Sequence, residues 1–310
     1  MSLFEDKFKS SLKTSVPLLD RIMHYIIKRK GKQMRPMFVF LSAKMFGNIN
    51  QSSYTAASLI ELLHTATLVH DDVIDESNFR RGFFSINALW KNKISVLVGD
   101  FLLSRGLLLA VEKNEFSLLK IMSKAVKDMS EGELMQIEKT RKLNITEDEY
   151  FEIIKKKTAA LISACCESGA SSSNTSDENI KTMRDFGEKV GIAFQIKDDL
   201  FDYTQSTLIG KPTGLDIREK KMTLPLIYTL NKVNKNDKKF IINTIKNDSK
   251  NPKKVEQIIM LVKKNKGLEF AESKMNHYFN QSINLLENFE NNEAKQSLTQ
   301  LVEYVIKRKK

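Results

Sequence analysis

Residues Ala56–Asp75 read AASLIELLHTATLVHDDVID, and this stretch decides the fold class. Its apolar residues recur at helical spacing and cover much of the helix circumference, the pattern of a central helix in a large bundle. Ile94–Glu112, ISVLVGDFLLSRGLLLAVE, has the same character. Glu61, His64, Asp100 and Arg105 interrupt the two segments, so neither offers the roughly 18 to 20 uncharged apolar residues of a span, and no integral membrane segment is expected. Only 12 Gly and 5 Pro occur in 310 residues, and no Gly/Ser-rich or Pro-rich linker divides them. The chain therefore reads as all-α, a single domain over residues 1–310 with 41% apolar residues to build its core.

The first stretch ends in Asp71-Asp72-x-x-Asp75, and the same spacing returns as Asp198-Asp199-x-x-Asp202 in AFQIKDDLFD, again in apolar surroundings. On a helix the first and last Asp of each set share a face one turn apart, while the middle one sits about 100° round the axis. Like charges this close repel, and burying them beside Val69, Val73, Ile74, Phe194, Ile196 and Leu200 is costly unless a cation neutralises them. A solvated acidic face is the alternative. Two copies on a chain of net charge +12 point instead to a divalent metal. Oxygen ligands without a His or Cys cluster suit a hard ion, and magnesium completes its octahedron with water and substrate phosphates. Two such patches suit a diphosphate clamped through bridging Mg2+.

Much of the positive charge lies after Asn231, in NKVNKNDKKF and NDSKNPKKVE, where Asn and Asp are interspersed and solvated helix ends and turns are expected. No aromatic-interleaved basic strand, zinc-finger spacing or RNA-binding signature accompanies it, so nucleic acid is not the expected partner. The only Cys residues, Cys165 and Cys166, are adjacent and point about 100° apart on a helix, which disfavours an intrachain disulfide and fits a reducing compartment. MSLFEDKFKSSLK lacks the apolar core of a signal peptide, and a cytoplasmic protein is expected. Thr146-Glu-Asp-Glu149 and Thr175-Ser-Asp-Glu178 fit capping boxes, with SGASSSNTSDEN as a surface loop before the second. A longer irregular segment, about Thr204 to Met222, follows the second Asp set as a candidate lid.

Basic residues come in compact sets around the acidic ones. Arg80-Arg81-Gly82 follows Asp75 closely, and Lys30-Gly31-Lys32-Gln33-Met34-Arg35-Pro36 lies upstream. Lys157-Thr158 sits near the start of an Ala-rich helix, and Lys220-Lys221 closes the long loop. Each alone is more often a solvated surface charge. Together they supply the forks and ammonium groups that phosphate oxygens need.

GKQMRP, ELLHTATLVHDDVIDESNFRRG, KKTAALIS, AFQIKDDLFDYT and GKPTGLDIREKKMTLPLI, in that order, resemble the trans-isoprenyl diphosphate synthases, or polyprenyl synthetases, and the resemblance covers most of the chain. It implies an all-α bundle of the isoprenoid synthase fold, with the two Asp sets facing each other across a central cavity, in a homodimer. It implies head-to-tail prenyl transfer between isopentenyl diphosphate and an allylic diphosphate. By resemblance, magnesium on Asp71, Asp72, Asp75, Asp198 and Asp202, with Asp199 beside them, draws charge from the departing pyrophosphate, aided by Lys157, Lys221 and Arg80. Lys32, Arg35, His64 and Arg81 match positions holding isopentenyl diphosphate without metal. Thr158 and Gln195 match positions beside the allylic substrate, where their dipoles face the cation. The leaving pyrophosphate takes the proton in this family, so no side-chain base is assigned.

Three departures stand out. Lys30-Gly31-Lys32 replaces Gly-Gly-Lys, Lys220-Lys221 replaces Gly-Lys, and Gln33 replaces an Arg, which is tolerable if that side chain faces solvent. VEYVIKRKK resembles a basic tail that closes over the isopentenyl site. The growing chain needs a tunnel below Asp71, with Thr67 one turn down, Ala66 beside it and Leu63 and Ile60 deeper, at roughly 5.4 Å per turn. Short-chain members carry aromatic rings at the positions of Ala66 and Thr67, so the resemblance implies a medium or long product, with a floor near Met135 or Phe101. A short-chain synthase, a terpene cyclase and a non-catalytic regulatory subunit are the rival readings. The Lys32/Arg35/His64/Arg81 set argues against the cyclase, and the intact Asp sets against the regulatory subunit.

Overall fold

The helix read from Ala56–Asp75 begins earlier, at Gln51, because Asn50 and Ser53 form a capping box there: the Ser53 N–H donates to Asn50 Oδ1 at 3.0 Å and the Asn50 N–H to Ser53 Oγ at 3.3 Å. The structure is a computed structural model and describes residues 1–28, 31–75, 77–80, 83–204 and 213–307, without the side chains of Arg80 and Lys307. Of the described residues 80% are helical, as the spacing of apolar residues predicts. By its contacts the chain forms two compact units, Met1–Val126 with Ala164–Arg184 and Asn292–Leu298, and Lys127–Ser163 with Asp185–Asn291 and Thr299–Lys310.

The first unit contains α1 (Ser2–Ser11), α2 (Pro17–Lys28), α3 (Met34–Lys44), α4 (Gln51–Ile74) and α5 (Ile86–Glu112). Leu62, Ala66 and Val69 of α4 close a core with Leu12, Ile22 and Met23 and with Val98 and Leu102 of α5. Burying one such large side chain is worth about 1.5–3 kcal/mol. A two-stranded antiparallel hairpin, β1 (Phe79–Arg80) and β2 (Phe83–Phe84), interrupts the helices with Phe79 opposite Phe84. It is tied to α2 where Tyr25 Oη donates to the Phe84 carbonyl at 2.7 Å.

Helix α5 is long and apolar enough to cross a membrane by length and composition alone, and a third of its most apolar stretch is buried. Asp100 and Arg105 are too few to offset the Leu and Val around them. The helix is also broken at Lys91, where φ is 68° and ψ is 165°.

The second unit takes the later part of α6 (Phe116–Lys142), then α7 (Glu147–Ile154), a π-turn over Lys155–Ala159, the start of α8 (Ala160–Ser171) and most of α9 (Asp177–Phe201). After α10 (Leu215–Arg218) come α11 (Leu224–Lys232), α12 (Lys235–Asn247), α13 (Pro252–Lys264), α14 (Gly267–Glu287) and the end of α15 (Glu293–Lys307). Tyr228 of α11 stacks on Phe270 of α14 with centroids 4.1 Å apart.

The Thr146–Glu149 capping box forms as read. The second does not. Helix α9 starts at Asp177, and Ser176, one residue later than read, accepts the Asn179 N–H at 3.3 Å, while Thr175 Oγ1 accepts from Asn179 Nδ2. The loop before it is also shorter than read, since α8 continues to Ser171 and Ser172 is buried, its hydroxyl 2.8 Å from that of Ser53. Cys165 and Cys166 are free and buried, and burial pushes both thiols up, Cys166 to about 12, which leaves them unreactive packing groups.

Candidate active site

In the first unit α4 delivers Asp71, Asp72 and Asp75 at its C-terminal end, with Asp75 as the C-cap. The helical offset sorts them. Asp72 is 3% exposed and lines a cavity of about 280 Å3, Asp71 is half-buried and Asp75 is exposed. The same cavity is lined by Arg35, His64, Gln33, Tyr25 and Phe83. Arg35 donates through Nε to Glu61 Oε1 at 3.1 Å, which fixes the plane of the guanidinium and leaves its terminal nitrogens as a fork for an anion. Gln33 does not face solvent as the sequence reading required. It is half-buried at the start of α3 with φ 51° and donates to Glu5 Oε1 of α1 at 3.3 Å, a contact an amide makes without the charge of the family's Arg. Lys32 is exposed, and Arg80 lies on β1. Lys30, Arg81, Gly82, the lid residues 205–212 and the last tail residues 308–310 lie outside the described residues. Upstream of them, the tail residues Val302, Val305 and Ile306 are buried in α15.

In the second unit Lys157 and Thr158 are not at the start of an ordinary helix but on the π-turn between α7 and α8. A π-turn re-aims successive side chains and recurs at functional sites. It sits here because two neighbours lack a side chain. A Cβ on Gly132 of α6 would lie 2.6 Å from the Lys157 backbone nitrogen, and one on Gly191 of α9 would lie 2.5 Å from the Ala159 Cα. Lys157 pairs with Glu133 and donates to Gln136 Oε1 at 2.7 Å.

Lys157, Thr158, Gln195, Asp199 and Lys221 all line one cavity of about 230 Å3, with Tyr150, Gln136 and Asp216. Asp199 is 4% exposed, like its counterpart Asp72. Its Oδ1 accepts from Gln195 Nε2 at 3.0 Å, and its Oδ2 from Tyr150 Oη at 2.7 Å and from the Leu224 N–H at 3.1 Å. Asp202 is occupied differently from the metal role read for it: its carboxylate accepts the N–H groups of Leu215 at 2.8 Å and Asp216 at 3.2 Å, and so holds the start of α10. Lys220, where the family commonly has Gly, keeps the left-handed backbone at φ 62°. A lysine there carries roughly 1–2 kcal/mol of strain that a glycine would not.

Burial raises the Asp199 carboxyl to about 6, only partly offset by its three hydrogen bonds. Asp216 is raised to about 7 by burial and by the charges of Asp202 and Asp199. Both folded values lie above the unfolded one, so the stability these groups contribute is present in acid and lost as pH rises through the folded pKa. The melting temperature of the metal-free protein minus that of Asp216→Asn is therefore expected to fall between about pH 4 and 7. A difference constant across that range would refute this assignment.

Among the described residues no three His, Cys, Asp or Glu side chains converge as a metal-ligand set. The carboxylates of the two Asp sets are oxygen donors, which suit a hard ion completed by water and phosphate oxygens. Asp72 and Asp199 are buried and Asp202 holds the start of α10, whereas Asp71 and Asp198 are half-buried and Asp75 is exposed.

The sequence profile of polyprenyl synthetases matches residues 16–262. The chain belongs to the polyprenyl synthetase family. The octaprenyl diphosphate synthase of Haemophilus influenzae is 32% identical over 94% of this chain and 89% of its own length, and the geranylgeranyl diphosphate synthase of Sulfolobus acidocaldarius is 31% identical over 98% and 95%. Among solved structures, a decaprenyl diphosphate synthase from Rhodobacter capsulatus has TM-score 0.94 at 33% identity, covering 100% of this chain and 96% of that one. A Caulobacter crescentus polyprenyl synthase complexed with calcium and isoprenyl diphosphate has TM-score 0.92 at 31% identity, covering 100% and 95%. The protein is a prenyltransferase of this family, and its reaction is head-to-tail condensation of isopentenyl diphosphate with an allylic diphosphate. Its fold is the all-α isoprenoid synthase fold.

Of the residues read from the motifs, the structure brings Lys157, Thr158, Gln195, Asp199 and Lys221 to one cavity and Arg35, His64 and Asp72 to another. Motif reading did not single out Tyr150, Gln136 and Asp216, which line the first of these, or Glu133, which pairs with Lys157. Asp216 is signalled by its place directly after the Gly214 turn, and Glu133 and Gln136 by the glycine before them. Tyr150 has no local signal.

Proposed function

We propose that this synthase uses Mg2+ to ionise an allylic diphosphate at Lys157, Thr158, Gln195 and Lys221, and binds isopentenyl diphosphate at Lys32, Arg35, His64 and Arg81. The observation that carries this is the convergence of Lys157, Thr158, Gln195, Asp199 and Lys221, far apart in sequence, on one cavity. Asp71 and Asp75 in the first unit, and Asp198 in the second, carry metal contacts, and Mg2+ supplies positive charge where the leaving pyrophosphate develops negative charge. Lys157 and Lys221 donate to the same group, Asp199 lines the cavity beside them, and Asp202 holds the start of α10. The family match runs through both units, which supports one synthase domain over residues 1–310. Incubation with isopentenyl diphosphate, each common allylic diphosphate and Mg2+, followed by sizing of the products, is expected to show metal-dependent elongation. Its absence with every primer removes this reading.

A medium or long product is supported by the small side chains at Ala66 and Thr67. Ala66 is 2% exposed within the α2/α4/α5 core, so a ring there overpacks at a cost of about 1–3 kcal/mol. Thr67 is half-buried with its hydroxyl turned back to the His64 carbonyl at 2.9 Å, and offers the cleaner test. Thr67→Phe is expected to shorten the main product, and an unchanged distribution sinks the tunnel assignment.

A second copy of the chain is the partner we propose, in the cytoplasm, where two free adjacent thiols persist. Leu89, Val96, Leu97, Leu107, Leu108 and Val111 form an exposed apolar stripe along α5, too large for a solvated helix face. Sedimentation should give twice the chain mass of 35.6 kDa, reduced to one chain by Leu97→Lys with Leu108→Lys. A wild-type monomer, or binding to lipid vesicles instead, contradicts the dimer.

A further inference from the structure

Between the cavity wall and the protein interior of the second unit, four side chains form one directed chain of hydrogen bonds. Tyr150 Oη is 2.7 Å from Asp199 Oδ2, Gln195 Nε2 is 3.0 Å from Asp199 Oδ1, and Thr158 Oγ1 is 2.8 Å from Gln195 Oε1. A carboxylate only accepts, so the side of the Gln195 amide that meets Asp199 must be its NH2. The amide oxygen then faces Thr158, and the Thr158 hydroxyl has one proton, which it must give to that oxygen. Every donor in the chain points toward Asp199. The end left at the cavity is the lone-pair side of Thr158 Oγ1, beside Lys157 on the π-turn.

We propose that Tyr150 and Asp199 are positioning residues that fix Gln195 and Thr158 in this one direction, so that Thr158 presents only an acceptor to the carbon that becomes cationic. This rests on the allylic assignment of the cavity made above and adds what sets its polarity. Without Asp199 and its clamps, the amide could turn over, Thr158 could point its proton into the cavity, and the dipole at the reacting carbon would reverse. Tyr150 holds one carboxylate oxygen from the α7 side while the Leu224 N–H holds it from α11. Removing the phenol leaves Oδ2 on the Leu224 N–H alone and loosens the carboxylate. Hydrogen bonds that polarise one another along a chain anchored on a charge make the terminal acceptor stronger than an isolated hydroxyl.

The test separates binding of the ground state from binding of charge. Tyr150→Phe, which keeps the ring against Phe151, Thr158→Val and the double variant are assayed for kcat, for KM of the allylic diphosphate, and for inhibition by an allylic ammonium salt with inorganic pyrophosphate, a mimic of the ionised pair. Each single variant is expected to lose about tenfold in kcat and in affinity for the ammonium mimic, while KM changes less than about twofold. The double variant should lose little more than Thr158→Val, because both act through one chain. Thr158→Ser should restore the wild-type values. Equal loss of substrate and mimic binding, additive losses in the double variant, or an unchanged kcat in Tyr150→Phe overturns the proposal. Melting temperatures recorded alongside identify a purely structural loss, which would lower stability without this coupling. If the wild-type protein elongates no primer, it is the assignment of the cavity that fails.

Discussion

Asp198→Ala is expected to lower kcat/KM by on the order of 10^3 while leaving the melting temperature close to wild type, and Asp202→Ala is expected to do nearly the reverse. The two residues belong to one Asp-Asp-x-x-Asp set and read alike in sequence, but the structure separates them. Asp198 is half-buried near the C-terminal end of α9, within the helix. Asp202 accepts two backbone N–H groups at the start of α10. Loss of such a cap costs roughly 0.5–2 kcal/mol of stability. Loss of a carboxylate on the ion weakens stabilisation of the charge that builds on the leaving group, which appears in the transition state more than in the bound substrate. Steady-state kinetics at saturating Mg2+ with thermal melts on both variants distinguish the two. Equal kinetic losses with no change in melting would show that Asp202 serves the metal after all.

The middle residues of the two sets show how much of this was legible. Helical geometry alone turns Asp72 and Asp199 about 100° away from their neighbours, and both prove nearly fully buried. Which side of the helix faces the interior depends on what packs there, and the motif does not contain that. The α4 and α5 helices were legible because apolar residues at helical spacing need no partner to be recognised. The Arg35 and Lys157 clusters were legible because phosphate chemistry demands cations. Tyr150 was not, because a tyrosine in the first turns of an amphipathic helix is ordinary until Asp199, 49 positions away, is placed against its hydroxyl. The shift of the cap from Thr175 to Ser176 has a similar cause: adjacent hydroxyl residues compete, and the position of α9 against its neighbours chooses between them. The exposed stripe on α5 was not legible, since apolar residues at helical spacing do not tell which of them meet a neighbouring helix.

The π-turn supplies the second large effect. Gly132→Ala is expected to reduce kcat about 100-fold with a stability loss of about 1–3 kcal/mol, and Gly191→Ala to behave similarly. The methyl group on residue 132 would meet the Lys157 backbone nitrogen at 2.6 Å, the Lys156 Cβ at 2.9 Å and the Lys157 Cα at 3.0 Å. Two of these three are backbone atoms, and no rotamer change can move them away. At residue 191 the obstruction is again backbone, the Ala159 Cα at 2.5 Å, with the Ala159 Cβ at 2.8 Å. Packed interiors compress little, so the π-turn itself must shift and carry Lys157 and Thr158 with it. A displacement approaching 1 Å at a reacting group is enough for a loss of this size. Gly47→Ala is the control, because its added methyl meets nothing within 4 Å and should leave kcat unchanged. Were Gly132→Ala to retain full activity, the placement of Lys157 would not depend on the close approach of α6, and the π-turn would have to be held by its own sequence. Were the loss confined to stability, Lys157 and Thr158 would sit outside the reaction.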